Sequence, residues 1–266
     1  MKNSTIIGLI LGFLAVLVGM VLKGASLSAF LNPAAFMIII VGTIAAVTIA
    51  FPLGELKKVG TLFKILFTER QLVQREDLIK QFVEWAGITR REGLLALEAR
   101  VDDIEDSFLK NGMRMIIDGN DQDLVRDVLL EDISATEDRH KAGALIFTQA
   151  GTYAPTLGVL GAVIGLIAAL ADMSDMDSLA HAISAAFMAT LLGIFTGYVL
   201  WHPMANKLKR LSKAEIQIRL MMLEGLLSIQ SGVSTIAIEQ KLSVFLTPTE
   251  RQAMKAKEEG DVEQKA

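Results

Sequence analysis

Charge crosses membranes by way of side chains that ionise, and this chain withholds the strong ones from its most apolar stretches. Asp, Glu, Lys and Arg are absent from residues 4–22, 33–52, 142–171 and 179–201. Intramembrane proton relays ordinarily use such groups. If the chain helps to conduct protons, the titrating carboxylate must therefore come from another chain. What these stretches do contain is a high density of small residues. Gly158, Gly161, Ala162, Gly165 and Ala169 fall on one helical face with Pro155 on the same side, and Ala182, Ala186, Thr190, Gly193 and Gly197 fall on another. Small residues at this spacing let helix backbones approach closely in lipid. Packing alone accounts for such stripes; the other reading is a narrow pathway with Thr190 as its polar group.

Pro155 and Pro203 carry a similar ambiguity. A proline removes a backbone hydrogen bond and can place a kink. Either Pro203 ends a helix and Pro155 bends one, or both let the helices move when an ion binds. His181 stands at a helix start beside an acidic segment (Asp172, Asp175, Asp177) and reads as an interfacial residue. Away from the apolar stretches, Thr89 to Glu98 mixes charges around an apolar run. On a continuous helix Arg90 and Glu98 would project about 80° apart. The default for such charges is a solvated face or ion pairs of little worth.

Enzyme and cofactor chemistry finds no foothold. The chain has no G-x-x-x-x-G-K-S/T, G-x-S-x-G or H-E-x-x-H, and no catalytic residue or cofactor is expected. Cysteine is absent, and His140, His181 and His202 are far apart in sequence, so no metal site is expected. A net charge of −4 and 6% aromatics argue against nucleic-acid binding.

The elements that must position these residues follow from apolar length. A span takes roughly 20 apolar residues to cross about 30 Å of hydrocarbon, and the four stretches meet that length. With 52% hydrophobic residues gathered in blocks, the expected fold is an all-α integral membrane protein. Four transmembrane helices are expected, with a helical cytoplasmic domain between helices 2 and 3. Lys2 before an apolar run imitates a signal peptide, but no clear cleavage site precedes the next span, so a retained helix is expected. Asn32-Pro33 reads as N-cap and first helical residue of span two.

Lys57, Lys58, Lys64 and Arg70 follow span two, and Lys207, Lys209, Arg210 and Lys213 follow span four. This places both termini and the central domain in the cytoplasm, against the single Lys23. The expected parts are spans one and two in 1–53, a cytoplasmic helical domain in 54–141, and spans three and four in 142–203. Cytoplasmic amphipathic helices follow in 204–248, and a disordered tail in 249–266.

Within the central domain, Leu78, Ile79, Phe82, Trp85 and Ala86 recur at helical spacing. Leu94, Leu97, Val101, Ile104 and Phe108 continue less cleanly. Asp118-Gly119-Asn120 signals a turn, after which Leu124, Val125, Val128, Leu129 and Ile133 start another helix. No proline or glycine interrupts it before Gly143, so it is expected to run into span three. The apolar part, about 45 Å at 1.5 Å per residue, would then begin below the bilayer.

The chain resembles the motility protein A family, the A subunits of flagellar stators within the MotA/TolQ/ExbB proton channel family. The resemblance extends from span one to about Phe245. Three segments carry it: Ala150-Gly-Thr-Tyr-Ala-Pro155-Thr-Leu-Gly-Val-Leu-Gly-Ala-Val-Ile-Gly165; His181 to Gly197 with Trp201-His-Pro203; and Arg90 to Glu98, which fits R-x-x-G-x-x-x-L-E.

The resemblance implies an ion channel that couples proton flow to torque, built with a single-span partner of MotB type whose aspartate takes the proton. It implies a homo-oligomer, expected as a pentamer around a partner dimer, in the inner (cytoplasmic) membrane in contact with lipid. It implies that Pro155 and Pro203 couple ion movement to shape change, that Thr190 lies on the pathway, and that Arg90 and Glu98 act on the rotor protein FliG. Sodium-driven relatives place threonine where Ala162 stands. Alanine has no hydroxyl to replace sodium's hydration shell, so protons are expected, with a sodium-driven stator as the alternative. An ExbB/TolQ-type energiser is a further alternative, disfavoured by the two N-terminal spans.

Overall fold

In the computed structural model, which describes residues 4–25, 32–68, 73–171 and 176–263, every regular element among the described residues is helical. Lys2, Arg70, Asp172 and Asp175, named above, lie outside them. Four helices are long and apolar enough to cross a membrane. Helix α1 (Ser4–Leu22) turns Ile6, Ile7, Ile10, Leu11 and Leu14 outwards. A helix that exposes so much apolar surface is built for lipid rather than water. Helix α2 (Pro33–Ala50) begins as expected: Asn32 Oδ1 accepts from the N–H of Ala34 and of Ala35, both at 3.1 Å, with Pro33 in the first turn.

The chain forms two compact units, Met1–Arg70 with Arg139–Leu211, and Gln71–Asp138 with Ser212–Ala266. In the first, helix α3 (Val59–Phe67) buries Leu66 in one cluster with Ala144, Phe147, Ala150, Met204 and Leu208. Phe63 meets the Phe147 ring edge-on at 5.2 Å. The second unit is organised around helix α4 (Arg75–Glu92), whose Leu78, Ile79, Phe82, Trp85 and Ala86 are all buried, as their spacing requires.

Helix α4 stops at Gly93, whose φ of +86° is a left-handed conformation that glycine adopts without strain. A 3₁₀ turn (Leu94–Leu97) and a single α turn (Glu98–Val101) follow. Arg90 and Glu98 are therefore not on one continuous helix, and the angle of about 80° drawn from helical periodicity does not apply.

Helix α5 (Ser107–Ile117) is capped by Asp106, whose Oδ1 accepts from the N–H of Leu109 at 3.0 Å. It ends in the expected turn, with Gly119 at φ +77° and the Asn120 N–H bonded to Met115 O. Helix α6 then runs from Gln122 to Leu170 without a break, 49 residues and about 74 Å at 1.5 Å per residue. Its apolar face is narrower than its sequence suggests. Val125, Leu129 and Ile133 are buried, whereas Leu124 and Val128 remain exposed.

The fourth span is also longer than expected. Helix α7 (Met176–Phe195) continues through a wide π turn (Thr196–Trp201) into helix α8 (His202–Gln230). Pro203 therefore does not end a helix. A π turn bonds residues five apart, as the His202 N–H does to Gly197 O. That shift of register admits a proline whose own N–H is missing.

Helix α9 (Thr235–Ser243) is capped by Ser234 and contributes Ile238 and Leu242 to the second unit's core. The expected disordered tail is instead a helix, α10 (Pro248–Glu263). Thr247-Pro248-Thr249-Glu250 is a capping box: Thr247 N–H donates to Glu250 Oε2 (2.7 Å) and Glu250 N–H to Thr247 Oγ1 (3.3 Å). The Thr247 N–H, with Arg75 adding its charge at 3.5 Å, holds the Glu250 carboxyl below its ordinary value against partial burial. Met254 is buried in the same core as Phe82, and so a charged segment gains a hydrophobic anchor.

Candidate functional site

The small-residue stripes of α6 and α7 meet each other. A Cβ added to Gly158 would lie 2.9 Å from Ala189 O and 3.0 Å from Gly193 Cα. One added to Gly193 would lie 2.8 Å from Ala154 O and 2.9 Å from Gly158 Cα. The two backbones touch at these glycines, the close approach that small-x-x-x-small patterns permit. For Gly158, Gly193 and Gly197 the packing reading therefore holds within this chain.

Pro155 is part of the same contact. Its ring cannot supply the N–H that would bond Gly151 O, the carbonyl four residues earlier. That carbonyl and the ring both face Gly197, whose added Cβ would lie 2.8 Å from Gly151 O and 2.7 Å from Pro155 Cγ. Gly197 belongs to the π turn that precedes Pro203. The Pro155 ring thus packs against a glycine of the turn that precedes Pro203. One turn away, the His202 ring lies 2.9 Å from where a Cβ of Gly151 would stand. Gly151 and His202 received no role from the sequence, although the glycine four residues before Pro155 was the available signal.

Thr190 is half-buried, and its hydroxyl donates to Ala186 O at 3.3 Å. Ala162 is half-buried on α6, one residue from Gly161, whose added Cβ would make ordinary contact with Ala189. Gly158, Gly193 and Gly197 are spent on this packing, whereas another face of α6 stays open. Thr152, Thr156, Val159, Val163 and Ile167 recur at three- and four-residue spacing and are all exposed. The exposed hydroxyls of Thr152 and Thr156 bond to the carbonyls of Thr148 (3.1 Å) and Tyr153 (2.7 Å). Sequence reading passed over this face because its residues are ordinary in lipid.

Arg90 and Glu98 lie on the second unit, both exposed, on either side of Gly93. Neither has an ion-pair partner among the described residues, whereas their neighbours do. Arg100 pairs with Glu84 at 3.1 Å, and Asp102 with Lys110 (3.4 Å) and Arg114 (3.0 Å). Hydrogen bonds from Lys110 and Arg114 keep the fully exposed Asp102 carboxyl below its ordinary value. Leu95, between the two free charges, is 70% exposed.

Fold and site together define a multi-pass membrane protein whose uncharged, glycine-packed third and fourth spans continue as helices well beyond their apolar segments. Residues 100–221 match the MotA/TolQ/ExbB proton channel family and residues 6–93 the motility protein A N-terminal family. Motility protein A of Bacillus subtilis is 60% identical over 99% of this chain and 97% of its own length. Chemotaxis protein PomA of Vibrio alginolyticus is 33% identical over 94% of this chain and 98% of its own. Among solved structures, the flagellar MotAB stator complex from Bacillus subtilis superimposes with a TM-score of 0.90 at 61% identity, covering 95% of this chain and 99% of that one. The structure of C. jejuni MotAB gives 0.88 at 31% identity, covering 93% and 97%. The chain belongs to the motility protein A family of flagellar stator subunits.

Proposed function

We propose that the chain lines a proton pathway together with a single-span partner of MotB type, and turns proton passage into movement of its cytoplasmic unit against the rotor. The observation that carries this is the absence of Asp, Glu, Lys and Arg from all four spans. A chain of this kind can build walls and a lever, but the carboxylate that accepts the proton must belong to the partner. The partner's helix lies along the open face of α6 from Thr152 to Ile167, with Thr190 and Ala162 at its border. Pro155, Gly197 and Pro203 carry the shape change between spans three and four. Several copies, in our reading five, surround the partner in the inner membrane with both termini in the cytoplasm. Residues 54–141 and 204–248 then form the cytoplasmic portion, and Arg90 and Glu98 address FliG.

In a strain whose only stator includes this chain, deletion of its gene abolishes swimming. Swimming speed in the complemented strain falls with protonophore and is unchanged when sodium is removed. A sodium requirement would overturn the argument from Ala162, which has no hydroxyl to offer a dehydrated ion.

Charge reversal at Arg90 (to Glu) or Glu98 (to Lys) is expected to lower torque several-fold with normal accumulation in the membrane. Both side chains are exposed and without ion-pair partners among the described residues, so folding does not depend on them. Tethered-cell torque and membrane immunoblots check this; reversed proteins that fail to accumulate would make the two charges structural.

A further inference from the structure

We propose that a cavity between α1 and the end of the fourth span binds an anionic phospholipid of the cytoplasmic leaflet, with the lipid phosphate on Lys207. The cavity has a volume of about 400 Å³. Its lining is amphipathic: Ser4, Thr5 and Lys207 are polar, while Leu9, Val199 and Met204 offer a greasy wall. That division matches a headgroup and the first part of an acyl chain.

Lys207 supplies the charge. It is half-buried, and its ammonium donates to two neutral acceptors, Thr5 Oγ1 and, at 2.9 Å, Leu66 O. An ammonium has three donors, and no carboxylate pairs with this one among the described residues. A cation drawn out of water without a counter-charge is costly, and an anion arriving in the cavity removes that cost. Lys64, Lys209 and Arg210, in the same unit, are exposed, and such cations gather acidic lipids at a cytoplasmic membrane surface.

The groove is also open where a lipid tail would run, because a Cβ added to Gly8 would meet nothing within 4 Å. Pro203 lines the same cavity. A bound headgroup therefore touches the helix just beyond the π turn, where the fourth span changes register. The inference rests on the orientation proposed above and is independent of the rotor contacts.

The test is native mass spectrometry of the complete stator complex, released from detergent containing equimolar phosphatidylglycerol and phosphatidylcholine. The wild-type complex is expected to retain phosphatidylglycerol selectively. Lys207→Gln should lower that selectivity about fivefold, the value of one lysine at an anionic surface, and Lys207→Arg should keep it. Gly8→Phe, which fills the groove but spares the lysine, should also lose the bound phosphatidylglycerol, and it decides the matter if Lys207→Gln does not accumulate. Equal retention of the two lipids by the wild type, or unchanged selectivity in Lys207→Gln or Gly8→Phe, overturns the proposal. A Lys207→Gln complex that sheds copies also overturns it, by assigning the lysine to a carboxylate of a neighbouring copy.

Discussion

Gly193→Ala will abolish swimming in a strain that depends on this chain, and Gly158→Ala will do the same. The added methyl at either site lands within 3.0 Å of backbone atoms on the opposing helix. A side chain in that position can rotate away, but a carbonyl oxygen or a Cα cannot without moving its helix. Overpacking of this kind costs about 1–3 kcal/mol and more where nothing can yield. The geometry of spans three and four suffers as much as their stability, since the same crossing positions Pro155 against Gly197. Gly165→Ala is the control: its methyl would meet only Ala186 Cβ, at an ordinary 3.8 Å. Thermal unfolding of the purified complex should drop for Gly158→Ala and Gly193→Ala and hold for Gly165→Ala. Normal swimming of either glycine variant would show that the helices do not meet as described.

The second large effect belongs to the second compact unit. Phe82→Ala should destabilise it by about 3–5 kcal/mol, the usual cost of emptying a buried aromatic site. Phe82 is fully buried, meets Trp85 edge-on at 5.5 Å, and fills the space against Gly225, whose added Cβ would lie 2.6 Å from the ring. The vacancy cannot easily close, because α4 and α8 are both held along their length by neighbouring buried residues such as Ile79, Met221 and Leu226. Protease sensitivity of the second unit should rise sharply and torque should be lost, while membrane insertion, which depends on the apolar spans, continues. Phe82→Leu, which keeps most of the volume, should show a fraction of the effect. Equal protease resistance in wild type and Phe82→Ala would place the unit's core elsewhere.

Much of the architecture was legible because it depends on properties that run along the chain. Asn32-Pro33 announced the start of α2, and Asp118-Gly119-Asn120 the turn before α6. Both rest on interactions between residues at most five apart. The unbroken run from Gln122 into span three followed from the absence of helix breakers before Gly143. The tail was misjudged although its capping box stood in plain view as Thr247-Pro248-Thr249-Glu250. Composition alone suggested disorder, and the burial of Met254 needs a core assembled from residues far away in sequence. Of the two readings left open for Pro203, the helix end fails for a related reason. A proline reads as a stop until a π turn shifts the hydrogen-bond register ahead of it.

The sequence by itself determined that this chain lives in a membrane, that four helices cross it, and that none of them can supply a titrating acid. Those conclusions need only length, apolarity and the cost of charge in hydrocarbon, which do not depend on how the helices are arranged. Only the tertiary structure decided that Gly158, Gly193 and Gly197 are spent on packing. Whether a glycine stripe lines a pathway or seats a neighbour depends on what lies across from it. Here Gly158 finds Gly193, and Pro155 finds Gly197, partners 35 and 42 positions away along the chain. Helical periodicity can say which residues share a face, but close packing between distant helices chooses which face is spent on the fold and which is left for a partner.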